Sequence, residues 1–214
     1  MAIKKEGQVR KTEILDIAES LFYSKGYNNT TMNDILNKTG IAKGTLYYYF
    51  KSKEEILDTI IMRIIENDII NSKKIANDVN LSPVEKIYTI LINQRPENVK
   101  DKEKIYDQIC KPENWELQQK TWALSIKYLS PIIASVVEEG IEKKLFFTPY
   151  PLEIVELLLA TGNTLFDTTL FNWNEEELEK RLKVFIFSIE KLLGAKEGTF
   201  INARKVILWK NKNV

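Results

Sequence analysis

Residues 31–55 read Thr-Met-Asn-Asp-Ile-Leu-Asn-Lys-Thr-Gly-Ile-Ala-Lys-Gly-Thr-Leu-Tyr-Tyr-Tyr-Phe-Lys-Ser-Lys-Glu-Glu. Thr31, with Asp34 three positions on, has the spacing of a capping box that opens a short helix. Ile35 and Leu36 supply the buried side of that helix, and Gly40 ends it at a position suited to left-handed backbone. Ile41 is the apolar residue needed to pack between two helices that meet at a tight turn. A second helix runs from about Ala42 to Phe50. On its wheel Leu46, Tyr49 and Phe50 gather on one side, and Gly44, Tyr47 and Tyr48 on the other, flanked by Lys43 and Thr45. Ser52 and Glu55 repeat the capping pattern, so a third helix starts at once with Lys53 in its first turn. Two short helices about a tight turn make a helix-turn-helix.

The outward face of the second helix is unusual. Glycine inside a helix costs roughly 1 kcal/mol relative to alanine, which makes sense at position 44 if another surface must approach the backbone closely, as a DNA duplex does. Lys43 reaches a base edge or a phosphate from the first turn. Tyrosine hydroxyls donate to phosphate oxygens, and their rings rest against sugars or thymine methyls. Lys53 lies beside helix N–H groups that favour an anion. The DNA-contacting set read in this way is Thr31, Lys43, Gly44, Thr45, Tyr47, Tyr48 and Lys53. Taken singly each residue says little, since three tyrosines more often mean packing; the ordered combination carries the signal.

At these residues the chain resembles the TetR family of bacterial transcriptional repressors. The resemblance covers roughly fifty residues. It runs through Ile14, Ala18, Leu21 and Phe22, then Gly26-Tyr27, Thr30-Thr31, Ile35, Gly40-Ile41, Lys43-Gly44-Thr45-Leu46-Tyr47, Phe50 and Ser52-Lys53-Glu54. Leu36, Thr39, Ala42 and Tyr48 depart from the family's usual alanine, alanine, serine and histidine. The loss of a serine hydroxyl at position 42 removes one phosphate contact. The resemblance implies an all-α fold. Residues 1–53 would form a three-helix DNA-binding domain and residues 54–198 a helical effector-binding and dimerisation domain; the basic tail, residues 199–214, lies outside what the resemblance explains, with a short packing helix, a strand and a frayed end as its alternatives.

Charge agrees with that division. Residues 1–53 hold nine basic side chains against five acids, whereas the whole chain of 214 residues nets only +1. A positive head on a mildly acidic body suits a protein that meets a polyanion at one end. No run approaches the ~18 apolar residues of a membrane span, and no charged-apolar-small leader opens the chain, so a cytoplasmic protein is expected. Histidine is absent, which excludes imidazole metal sites and His-dependent triads. Neither a catalytic constellation nor a cofactor motif is found, and no enzyme is expected. Cys110 is the single cysteine, without an intrachain disulfide partner; it reads as a buried small residue rather than a redox sensor.

Past the head, Ile56-Leu57, Ile60-Ile61, Ile64-Ile65 and Ile69-Ile70 hold one face of a helix from Lys53 to about Ala76. Ser82-Pro83-Val84-Glu85 starts another, with proline at its first position. Pro131 kinks or restarts a long later helix, and Lys144 stands where the family has a turn glycine. Two apolar helices follow, from Pro151 to about Phe171 and from Asn174 to Leu193. Leu158, Thr161, Leu165, Leu182, Phe185 and Ile189 on these helices are the expected dimer interface, an intrachain core being the alternative. Tyr88, Tyr106, Trp115, Trp122, Tyr128 and Phe166, with Phe146, are candidates to line an effector pocket for a largely apolar molecule.

The sequence therefore predicts a homodimeric, ligand-responsive regulator that binds near-palindromic operator DNA, acts as a repressor and takes a small effector without any cofactor. The alternatives are a helical small-molecule binder with an unused DNA-binding head, and a transcriptional activator.

Overall fold

A computed structural model of the chain describes residues 2–93, 111, 114–167 and 170–202. The described residues form eight α-helices and no strand: α1 Ala2–Lys25, α2 Met32–Thr39, α3 Lys43–Tyr49, α4 Lys53–Ala76, α5 Pro83–Asn93, α6 Trp115–Glu142, α7 Pro151–Leu165 and α8 Glu175–Leu193. The fold is all-α. The chain divides into two compact units, Met1–Glu66 with Glu103–Thr121, and Asn67–Lys102 with Trp122–Val214. Both cuts in the described helices fall inside α4 and α6 rather than between elements.

In the first unit, α1 packs on α2. The core is made by Ile14, Ala18, Phe22, Ile35, Leu46, Phe50, Ile56, Leu57, Ile60, Ile61 and Leu117, all fully buried. Each such side chain stabilises the unit by roughly 1.5–3 kcal/mol, less for alanine. Leu117 is a contribution from α6, so the head's core is not closed by the first four helices alone. Arg63 of α4 pairs with Asp16 at 2.6 Å and with Glu19, both on α1. Glu19 also accepts a hydrogen bond of 2.7 Å from the Tyr23 hydroxyl. Burial and that carboxylate hold the Tyr23 phenol far above its usual range, so it remains a donor.

The second unit is built on Ile87 and Ile90 of α5, Leu129, Ile132, Ile133, Val136 and Val137 of α6, and Phe146, Ile154, Val155, Leu193 and Phe200. A satellite cluster joins Phe166 to Leu182 and Phe185 of α8. Gly162 of α7 lets the Phe185 ring come close: a methyl there would stand 3.3 Å from its tip. The loop after α6 is pinned to the end of α8. The Phe147 amide donates to the Leu193 carbonyl at 2.8 Å. Gly194, with φ of 61°, has its Cα hydrogens where a Cβ would strike the Phe147 carbonyl oxygen at 2.3 Å.

Several expectations are corrected. Of the two readings of Pro131, the restart is excluded: α6 continues through it, because a single proline deletes one N–H and need not end a helix held by core residues on both sides. α7 stops at Leu165 rather than near Phe171. There the Trp173 indole donates to the Leu165 carbonyl at 3.0 Å, while its ring lies between Phe171 and the Arg181 guanidinium. One orphan carbonyl at the helix end is thereby satisfied. On α4 the buried stripe continues past Ile65 through Asp68 and Ser72, while Ile70 is exposed. The apolar pattern drifts off the buried face by one residue. For the tail, whose alternatives stand open in the sequence, the start is packed: Phe200 is buried against Phe146 and Tyr88, and its amide donates to Glu190 at 2.9 Å. Residues 203–214, Tyr106 and Cys110 lie outside the described residues.

Lys144 has φ of 59°, the left-handed conformation that favours glycine and strains other residues by about 1–2 kcal/mol. Its amide closes the turn to the Ile141 carbonyl at 2.9 Å. Lys144→Gly should therefore stabilise the protein by about 1 kcal/mol, after allowance for the freer unfolded chain. A urea midpoint at or below that of the wild type would show that this turn is unstrained.

Candidate nucleic-acid interface

The helix-turn-helix forms as its local chemistry dictates. The Asp34 amide donates to Thr31 Oγ1 at 3.1 Å. Asp34 Oδ2 accepts from the Thr31 amide at 2.8 Å and from the Thr31 hydroxyl at 2.7 Å. Lys25 at the end of α1 sits 3.0 Å from the same carboxylate. Gly40 takes φ of 67° and its amide closes α2 onto the Leu36 carbonyl. Just before the cap, the Thr30 hydroxyl is fully buried and donates to the Gly26 carbonyl at 2.8 Å.

α3 has no side-chain cap at Ala42 and is held by Leu46 and Phe50, both wholly buried. Tyr49 is half-buried, with its hydroxyl 3.5 Å from where a Cβ on Gly7 of α1 would stand. The opposite face is open: Lys43 and Gly44 are exposed, Thr45 is half-buried, and Tyr47 and Tyr48 are 37% and 75% exposed. A Cβ added at Gly44 would meet nothing within 4 Å. Packing within the chain thus gives no reason for a glycine at this position. The Lys43 ammonium lies 5.9 Å from the Tyr47 ring, and Tyr48 meets Tyr49 edge-on at 5.1 Å. At the end of the helix the Lys51 ammonium donates to the Tyr47 carbonyl at 2.8 Å.

Two of the seven residues read as DNA contacts are occupied with the head itself. The Thr31 hydroxyl spends its one proton on Asp34, so it has no donor left for a phosphate unless the cap opens. Lys53 turns inward: its ammonium donates to the Tyr27 carbonyl at 2.7 Å and stands 4.1 Å from the Tyr27 ring centre. Burial there lowers the Lys53 pKa and raises that of Tyr27. The second capping box also differs from expectation. The Glu55 amide does donate to Ser52 Oγ, but the Glu55 carboxylate reaches back to the Lys51 amide, at 2.6 Å, rather than to that of Ser52.

The residues read as an effector pocket, apart from Tyr106, are among the described residues. Phe166 belongs to the satellite cluster with Phe185, at 5.3 Å and edge-on. Tyr88 and Phe146 belong to the main core beside Phe200. Trp122 is half-buried, while Trp115 and Tyr128 are 60% and 39% exposed. Among the residues read as a dimer interface, Leu182 and Phe185 are buried within their own chain; Leu158, Leu165 and Ile189 are half-buried, and Thr161 is exposed. The large apolar residues left uncovered on these two helices are Leu157 on α7 and Val184, Phe187 and Leu192 on α8. Helical spacing alone could not separate the two faces, because both carry apolar residues at intervals of three and four.

Residues 14–60 match the family model of bacterial regulatory proteins of the tetR family, and residues 97–188 match that of the tetracyclin repressor-like C-terminal domain. The chain belongs to the TetR family. The chain is 43% identical over 58 residues to the HTH-type transcriptional repressor KstR2 of Rhodococcus jostii. That match takes in 27% of this chain and spans 28% of the relative's length. The fold is that of SmeT, the repressor of the Stenotrophomonas maltophilia multidrug efflux pump SmeDEF. There the identity is 20%, 89% of this chain and 92% of SmeT are covered, and the TM-score is 0.57. It is also that of RolR in its complex with resorcinol, at 14% identity, with 95% of each chain covered and a TM-score of 0.61. KstR2 and SmeT are repressors, and the regulators of the TetR family are not enzymes.

The α2 cap has an acid signature. Its hydrogen bonds from Thr31, with Lys25 alongside, lower the Asp34 pKa from 3.8 to about 2. A carboxylate depressed in the folded state contributes stability that is complete above its unfolded pKa and lost as pH falls through the folded value. Asp34→Asn removes the charge at every pH. The gap in urea midpoint between wild type and variant should therefore be widest above about pH 5 and close as pH approaches about 2. A gap independent of pH would mean that the charge of Asp34 adds nothing to the cap.

Proposed function

We propose that this protein is a DNA-binding transcriptional repressor that works as a dimer on near-palindromic operators and is released by a small, largely apolar effector. The observation that carries the reading is the open face of α3. Lys43, Gly44, Tyr47 and Tyr48 stand out from a helix whose other side is locked into the core, and the glycine has free space above it. A duplex approaching that face meets backbone at Gly44, a cation at Lys43 and two phenolic donors; Thr45 contributes at the edge. Thr31 and Lys53 act one step back, holding the backbone that presents the face. A dimer places two such helices in successive major grooves about one helical turn apart, and its site of action is the cytoplasm, where the DNA is.

The uncovered stripe of Leu157, Ala160, Thr161 and Thr164 on α7 with Val184 and Phe187 on α8 supports a self-association surface. It joins Thr161 of the expected set, whereas Leu182 and Phe185 support it from behind. RolR holds resorcinol within the same fold. An effector of this protein must likewise bind two head arrangements unequally if it is to change operator affinity.

Selection of bound duplexes from a random pool would supply the operator and test the reading directly. On the selected duplex, Gly44→Ala should weaken binding and Gly44→Leu more so. The same alanine should leave the fold intact and firm up α3 by up to about 1 kcal/mol. Wild-type affinity in Gly44→Leu would take this face off the DNA. For the dimer, Phe187→Asp should sediment as a monomer with an unchanged helical spectrum, and a persisting dimer would move the interface elsewhere.

A further inference from the structure

The first turns of α6 carry two charged residues into the head. The Lys120 ammonium lies 2.7 Å from Glu54 Oε1 and 3.1 Å from Asp58 Oδ1, two carboxylates one turn apart on the same face of α4. Between Glu116 and Lys120 in sequence, Leu117 is wholly buried. Glu116 acts electrostatically on both Lys53 and Tyr27. The start of α6 is therefore built into the same compact unit as α3, and its charges meet the first turn and a half of α4.

That turn is also what fixes α3. Only three residues, Phe50, Lys51 and Ser52, separate Tyr49 from Lys53. The Glu55 carboxylate holds the Lys51 amide, and the Lys51 ammonium holds the Tyr47 carbonyl. On the inner side Lys53 is locked to Tyr27. Lys120 is thus linked to the carbonyl of a residue on the open face by its ion pairs with α4, by the α4 backbone from Glu54 to Glu55, and by the hydrogen bonds of Glu55 and Lys51. The Glu54 and Asp58 side chains are 65% and 50% exposed. Pairs exposed to this degree shift an equilibrium by up to about fivefold each, which is the range over which a bound effector can still tip the balance.

We propose that Lys120 is a positioning residue: through its bridge to Glu54 and Asp58, α6 clamps the first turn of α4 and so restrains the reading helix α3. Release of this clamp by movement of α6 loosens α3 without unfolding the head. The regulatory meaning rests on the function proposed above, but the clamp itself does not.

Amide hydrogen exchange of the full chain without DNA tests it. Lys120→Met keeps the aliphatic stem and removes the charge. Exchange in residues 43–57 should then be about three- to tenfold faster, while α7 and α8 keep wild-type rates. Lys143→Met, which removes the Lys143–Glu139 pair of the other unit, should leave residues 43–57 unchanged. Reversal of the charges, with Lys120→Glu, Glu54→Lys and Asp58→Asn together, should restore slow exchange. Unchanged exchange in Lys120→Met, acceleration spread evenly over α7 and α8, or no restoration by the reversed pair would each overturn the clamp. On a selected duplex, Lys120→Met should weaken binding by a similar factor. If the wild type binds no duplex at all, the functional reading falls, and the exchange measurement still decides the clamp.

Discussion

A seven-residue helix cannot hold itself together in water. Nucleation fixes several dihedral angles for one hydrogen bond, and isolated helices shorter than about 12 residues are marginal even with favourable composition. α3 has seven residues, Lys43–Tyr49, one of them glycine and without a side-chain cap. It exists because Leu46 and Phe50 are wholly buried in a unit whose other fully buried residues include Ile14, Ala18, Phe22 and Ile35. Everything the open face can do depends on that burial. The side chains that point inward are so completely committed that those pointing outward are free of structural duty.

The same division bears on Thr31 and Lys53. Both stand at helix starts, where a polar group serves either the helix or a ligand. In the free protein, Asp34 takes the Thr31 proton and the Tyr27 carbonyl takes the Lys53 ammonium. A carboxylate or carbonyl fixed 2.7 Å away competes well against water. These groups set the angle at which α2 and α4 enter the head.

Much of the head was legible because its signals are local. A capping box needs Thr31 and Asp34 three apart, the turn needs a left-handed residue at Gly40, and the wheel sorts Leu46 and Phe50 from Tyr47 and Tyr48. None of these depends on what packs from far away. The body was legible only as helices with approximate ends. α7 stops short because of Trp173, eight residues past Leu165, and a side chain arriving from a later loop leaves no mark in the helical pattern. The buried Asp68 and Ser72 were missed for a related reason. An isoleucine-rich stripe invites a straight continuation, while the buried face of α4 follows the 3.6-residue repeat onto polar positions. On α8, Phe185 and Phe187 are two residues apart and equally apolar. Only the space opened by Gly162 on the neighbouring helix selects Phe185 for the interior.

The sequence division at residue 53 and the compact unit that includes Glu103–Thr121 differ in one physically important respect. A head ending at residue 53 would be a cassette on a stalk, able to read DNA whatever the rest of the chain did. Here its core takes in four residues of α4, Ile56, Leu57, Ile60 and Ile61, and one of α6, Leu117, all without exposure to solvent. Exposing even one such leucine forfeits about 1.5–3 kcal/mol, a large share of the margin on which a small unit folds. A head whose interior is completed by two helices that continue into the other unit cannot be indifferent to them. Their first turns are shared structure, and shared structure is the physical requirement for one site to bias another.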